Sequence, residues 1–168
     1  MAAKAKPSVG KQIIDLLAER NQTIVTAESC TGGMIASALT DIPGASAALY
    51  GGYITYANSA KSRMIQVQPR LIADYGAVSN QVARAMADGA RNTARADFAV
   101  AATGIAGPDG GTDKKPIGLV YVAVSSDLAT VVIEHRFGDL GRDAIRKATV
   151  DAALDLVLQV LTSDPPSP

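Results

Sequence analysis

Apolar residues recur at helical spacing at Val9, Ile13, Leu16 and Leu17, with Lys11, Asp15 and Glu19 between them, so the chain opens on an amphipathic helix. Residues 23–27 are rich in β-branched side chains and read as a short strand. Residues 31–40 read as a helix with Met34, Ile35, Ala38 and Leu39 on one side, stopped by Asp41-Ile42-Pro43-Gly44. Residues 50–56 are strand-like, although Gly51 and Gly52 weaken the start. Asn58 is placed to cap a helix running to about Ile65. Ser79 is placed to cap another, with Val82, Met86 and Ala90 facing inward and Arg84, Asp88, Arg91 and Arg95 facing solvent. The unbroken apolar run 98–102 suits a strand covered on both faces. Residues 119–125 and 130–137 form two further strands about a turn at Ser126-Asp127. A last helix spans about 142–161, with Asp143, Lys147, Asp151, Asp155 and Gln159 as its polar stripe.

Strands interspersed with helices predict an α/β fold, a three-layer α/β/α arrangement around a mixed sheet. The two adjacent C-terminal strands supply its antiparallel pair, and helices are expected on both faces. Strand order does not follow from the pattern. One domain is expected over residues 8–161, between a disordered extension, 1–7, and a disordered Pro-rich tail, 162–168.

Composition narrows the function. Sixteen basic and sixteen acidic residues balance, so nothing marks a nucleic-acid binder. Aromatics make up 4% and Trp is absent, which disfavours a base-stacking surface. The lone Cys30 excludes an intrachain disulfide and a Cys-based zinc cluster. Lys4 and Lys6 are not followed by an apolar signal-peptide core, and no apolar run is long enough for a bilayer. A soluble cytoplasmic protein without membrane contact is expected. No His, Asp and Glu cluster has metal-ligand spacing, so neither a metal nor a cofactor is expected.

The chemistry concentrates at Thr26-Ala27-Glu28-Ser29-Cys30-Thr31-Gly32-Gly33, where a strand turns into a helix. Ser29, Cys30 and Thr31 are each a possible nucleophile or a plain helix cap. Two glycines at a first helical turn cost stability, which close approach of a ligand to the backbone would explain. A serine nucleophile needs a base. The one histidine, His135, shares strand parity with Val131, Ile133 and Phe137 and reads as a packed residue, which leaves lysine. Lys61 is the candidate, one helical turn beyond Tyr56, because burial or a helix N-terminus would favour its neutral form. A solvated Lys61 and a packing Tyr56 fit the same pattern. A third segment, Thr103-Gly104-Ile105-Ala106-Gly107-Pro108-Asp109-Gly110-Gly111, follows the buried strand. It is neither a Walker A loop nor Gly-x-Gly-x-x-Gly, and serves as a phosphate cradle or as a plain turn. Arg142 and Arg146 could meet a phosphate or be surface charges.

Together, Thr26–Gly33, Gly52-Tyr53-Ile54-Thr55-Tyr56-Ala57-Asn58-Ser59-Ala60-Lys61, Gly76-Ala77-Val78-Ser79, Thr103–Gly111 and Lys115-Pro116-Ile117-Gly118-Leu119-Val120 resemble the CinA C-terminal domain family, the nicotinamide-nucleotide amidases. The resemblance covers about residues 8–161 in family order. It implies the family's fold and hydrolysis of nicotinamide mononucleotide to nicotinate mononucleotide and ammonia, in pyridine-nucleotide recycling. It implies Ser29 and Lys61, with Tyr56, as catalytic residues. Glu28, Cys30, Thr31, Gly32, Gly33, Thr103, Gly104, Gly107, Arg142 and Arg146 are the expected substrate-binding set. The family's Gly-Asp-Arg appears here as Gly138-Asp139-Leu140-Gly141-Arg142, which leaves Arg142 and Arg146 competing for the phosphate. Many family members carry a further N-terminal domain, and this chain resembles the stand-alone form. A non-catalytic nucleotide-binding or regulatory module is the alternative. A homodimer or higher homo-oligomer is expected through residues 50–56 or the last helix, each of which serves equally as core.

Overall fold

A computed structural model describes residues 7–163. Five strands form one sheet in the order β2-β1-β3-β4-β5: β1 (Ile24–Glu28), β2 (Leu49–Ile54), β3 (Phe98–Gly104), β4 (Leu119–Ser125) and β5 (Thr130–Arg136). β1 pairs in parallel with β2 and β3, whereas β3, β4 and β5 pair antiparallel. The sheet is mixed, with the C-terminal hairpin that the sequence predicts.

Six helices cover it: α1 (Val9–Glu19), α2 (Met34–Thr40), α3 (Asn58–Ile65), α4 (Pro69–Tyr75), α5 (Asn80–Ala94) and α6 (Arg142–Ser163). Strand alternation divides the core in two. Ile24, Phe98, Val100, Val120, Val122 and Val124 face Ile13, Leu17, Ile35, Leu39, Ile145 and Val157 of α1, α2 and α6. Val25, Ala27, Ala99, Ala101 and Ala123 face α3, α4 and α5, where Ala83, Ala87, Ala90 and Ala94 keep the second layer close to the strands. The result is the three-layer α/β/α fold. Gly89 carries the close packing further, because a Cβ there would lie 1.9 Å from the carbonyl oxygen of Ile65 in α3.

Several local expectations change. α2 begins at Met34 rather than at Thr31, because Gly32 (φ +57°) and Gly33 (φ +106°) hold a left-handed turn that no helix continues through. Neither Ser29 nor Thr31 caps it; the N-cap is Gly33, which has no side chain to offer. Asn58 is the first residue of α3 and not its cap, which is Ala57. Ser79 does cap α5, accepting from the Val82 N–H. Arg95 lies past α5 in a left-handed cap position. Asp88, expected in solvent, is half-buried and accepts from Ser125 Oγ at 2.8 Å and from Thr130 Oγ1. α4 has no counterpart in the pattern reading. Thr162 and Ser163, expected in the tail, complete α6, while residues 1–6 and 164–168 of the two expected extensions lie outside the described residues.

The topology places the site. From β1 the chain runs through α2 to β2 on one side, then through α3–α5 to β3 on the other. Strand order therefore reverses at β1, and the crevice beyond the carboxyl ends of β1 and β3 is where α/β sheets take ligands.

Candidate active site

Ser29 follows directly from the end of β1, and its N–H donates to the Ala102 carbonyl of β3 at 3.0 Å. The turn from 29 to 33 then closes through the Gly32 N–H on the Ser29 carbonyl at 3.2 Å. Glu28 anchors it. Its carboxylate is 1% exposed and accepts from Ile35 N at 2.8 Å and Ala36 N at 3.1 Å, with Thr26 Oγ1 at 3.2 Å. Those amides are the second and third of α2, the pair that an N-cap side chain ordinarily satisfies. A carboxylate seven residues upstream thus replaces the cap that Gly33 lacks, and it favours the positive end of the helix dipole.

Lys61 approaches from the other side. A helical side chain leans toward its own N-terminus, and Lys61 runs back over the first turn of α3. Its Nζ lies 2.9 Å from the Thr55 carbonyl, 3.2 Å from the Tyr56 carbonyl and 3.1 Å from Ser29 Oγ. The Thr55 N–H donates in turn to the Glu28 carbonyl at 2.8 Å, so the backbone that holds the lysine is tied to the backbone that holds the serine. Lys61 is 1% exposed. Burial pulls its pKa below the ordinary 10.5, against a smaller opposing effect of the Cys30 thiolate. The helix N-terminus invoked from sequence is not needed for this.

Cys30 is buried, and burial pushes its thiol up to about 11. The thiolate, the reactive form, is therefore disfavoured. Of the three candidate nucleophiles only Ser29, among the described residues, has an amine within hydrogen-bond distance of its side chain. Thr31 is fully buried, with its hydroxyl unpartnered among the described residues.

An open cleft of about 230 Å³ lies over Ser29, lined also by Cys30, Tyr56, residues 104–107, Asp109, Gly110 and Arg142. Arg142 crosses its mouth, donating to the Gly107 carbonyl at 2.9 Å and to the Tyr56 hydroxyl at 3.2 Å. Tyr56 thus meets Lys61 through its carbonyl and the cleft through its exposed ring.

Six of the ten expected substrate-binding residues, Thr31 among them, do not line the cleft. Glu28 caps α2, Gly32 and Gly33 shape the turn, and Thr103 Oγ1 donates to the Ala77 carbonyl at 2.9 Å. Arg146 lies behind the turn, its Nε on the Cys30 carbonyl at 3.0 Å and its Nη2 on the Thr31 carbonyl at 3.3 Å. The lining adds Ile105, Ala106, Asp109 and Gly110, which lie in the glycine-rich segment without having been singled out. His135, on the edge strand β5, stacks on Phe137 just past the strand's end and is a packed residue, as its parity suggests. Burial lowers its pKa. Among the described residues no three His, Cys, Asp or Glu side chains are grouped to hold a metal ion.

The profile of the CinA C-terminal domain matches residues 6–161. The chain is 48% identical over 155 residues to a CinA-like protein of Geobacter sulfurreducens, an alignment covering 92% of this chain and 37% of that one. A CinA-like protein of Citrifermentans bemidjiense is 46% identical over 167 residues, 99% of this chain and 40% of its own. The chain therefore spans about two fifths of such relatives. The crystal structure of a competence/damage inducible protein from Agrobacterium tumefaciens superposes with a TM-score of 0.85 at 43% identity, over 95% of this chain and 99% of the other. A competence-damaged protein (CinA) superfamily structure from Escherichia coli gives 0.87 at 31% identity, over 95% and 94%.

Proposed function

The chain belongs to the CinA C-terminal domain family, and from that premise and the geometry of its cleft we propose that it is a serine amidohydrolase that converts nicotinamide mononucleotide and water to nicotinate mononucleotide and ammonia. The observation that carries the reading is the approach of Lys61 Nζ to Ser29 Oγ at 3.1 Å, with both other contacts of that amine made to carbonyl oxygens. An ammonium there donates three hydrogen bonds. A neutral amine donates two, to the carbonyls of Thr55 and Tyr56, and its lone pair then faces the serine hydroxyl. The same geometry serves before and after a proton moves, as a general base requires.

In this mechanism neutral Lys61 takes the Ser29 proton while Oγ attacks the carboxamide carbon. Backbone N–H groups following Ser29, or those of the loop 104–107, stabilise the oxyanion; among the described residues the amides of Cys30 and Ala106 donate to no backbone carbonyl. Lys61 returns the proton to the departing ammonia, and water, activated by the same amine, releases the acid from the acyl-enzyme. Arg142, at the mouth, is the residue suited to the phosphate, whereas both Arg146 contacts go to the nucleophile turn. The test is ammonia release from nicotinamide mononucleotide by the purified protein without added metal, alongside Ser29→Ala. Turnover by the wild type and none by the variant supports the reading. Binding without turnover by the wild type favours a nucleotide-binding module, and near-normal turnover by Ser29→Ala removes the serine.

A further inference from the structure

The cleft lining contains one cationic residue, Arg142, and one acidic residue, Asp109. Arg142 is engaged by Gly107 and Tyr56. Asp109 is different: none of the ion pairs or side-chain hydrogen bonds among the described residues includes it. The segment that bears it is nonetheless tied down. The Gly118 N–H donates to the Ile105 carbonyl at 2.8 Å, the Thr112 N–H to the Lys115 carbonyl at 2.8 Å, and Lys115 Nζ to the Tyr75 carbonyl at 2.6 Å. An exposed carboxylate that no protein group neutralises is thus kept on the lining of an open cleft of about 230 Å³.

We propose that Asp109 is a specificity-determining residue that selects a cationic amide-bearing ring over a neutral one, and the amide over its acid. The inference takes its ligand from the function proposed above, but it does not depend on turnover. The ring of nicotinamide mononucleotide is a pyridinium, which an unpaired carboxylate attracts. Hydrolysis leaves that cation in place and adds a carboxylate to it, which Asp109 repels. The attraction acts on substrate and product alike and sets the preference for a cationic ring; the repulsion alone favours substrate over product. The cleft is open, so solvent screens the charges and the effect on affinity is roughly threefold to tenfold.

Three ligands separate this from other roles of Asp109. Binding to Ser29→Ala and to Ser29→Ala/Asp109→Asn is measured by calorimetry, so that turnover does not interfere. The ligands are nicotinamide mononucleotide, nicotinate mononucleotide and the 5′-phosphate of benzamide riboside, in which carbon replaces the ring nitrogen and the charge is lost. Asp109→Asn is expected to weaken nicotinamide mononucleotide roughly threefold to tenfold, to leave the neutral isostere unchanged, and to reduce the preference for substrate over product. The difference should shrink with added salt. Equal losses for the cationic and neutral ligands would overturn the proposal in favour of a contact to the ribose. No change for any ligand would overturn it outright. If the wild type binds nicotinamide mononucleotide but releases no ammonia, the amidase reading falls and the same isotherms still decide the role of Asp109. If it does not bind that ligand, both fall.

Discussion

Lys61 Nζ and Ser29 Oγ, thirty-two residues apart in the chain, meet at 3.1 Å. Under the proposed mechanism the contact makes ammonia release a titration of the lysine. Burial holds Lys61 below its ordinary 10.5, so kcat/KM should rise with pH along a limb that reports a group with a pKa under that value. Stability carries the same signature. At pH values where folded Lys61 has lost its proton and the unfolded chain still holds it, folding releases a proton, so stability rises with pH toward 10.5. Denaturation of wild type and Lys61→Met across this range should move their difference in favour of wild type as pH increases. A flat difference would show that the amine is not perturbed.

Cys30 is the neighbour most easily mistaken for the nucleophile. Its thiol is raised to about 11, so alkylation of the folded protein near neutral pH should be far slower than that of the unfolded chain. Cys30→Ala should keep ammonia release within a few-fold of wild type. Loss of activity comparable to that of Ser29→Ala would reverse the assignment.

The two arginines at the start of α6 should separate kinetically. Arg142 is exposed and lines the cleft, so Arg142→Ala should raise KM by about tenfold or more and leave the fold intact. Arg146 holds the carbonyls of Cys30 and Thr31, so Arg146→Ala should mainly lower kcat and cost stability. Steady-state kinetics with matched melting curves distinguish them. A pure KM effect from Arg146→Ala would place it on the substrate.

Glu28 is expected to matter without touching substrate. Glu28→Ala strips the acceptor from the amides of Ile35 and Ala36 in a buried place, which should cost on the order of 1–3 kcal/mol for each amide left unsatisfied. The turn carrying Ser29 loosens with it, so the fraction that remains folded should turn over more slowly. Denaturant titration together with activity per folded molecule checks both.

The helices α1, α5 and α6 were legible because each carries its apolar stripe within its own residues, and Ser79 caps a helix that begins one residue later. The cap of α2 was not legible. Glu28 reaches it only because two glycines fold the chain back in a left-handed turn, which no propensity scale encodes. The same turn keeps Thr31 out of the helix that the pattern predicts, whereas α3 simply begins at Asn58, one residue before the pattern starts it. Strand order was hidden because it rests on contacts between β1 and β3, more than seventy residues apart in the chain. At the site, the want of a usable histidine points only to some lysine, and it is the family resemblance that pairs Ser29 with Lys61. The separation of Arg142 from Arg146 was not legible, since both lie four residues apart on one helix and only the position of the nucleophile turn decides which reaches the cleft.

The spacing between base and nucleophile is kept in part by an atom left out. Ile65 lies one turn beyond Lys61 in α3, and its carbonyl rests where a side chain of residue 89 would begin. A single methyl group there would force α5 and α3 apart, and α3 is the helix that carries the amine. Proton transfer falls off steeply with such a displacement. If Lys61 is the base, the tolerance of the reaction is thus written partly in a layer that never meets the cleft, at a position whose one requirement is the absence of a side chain.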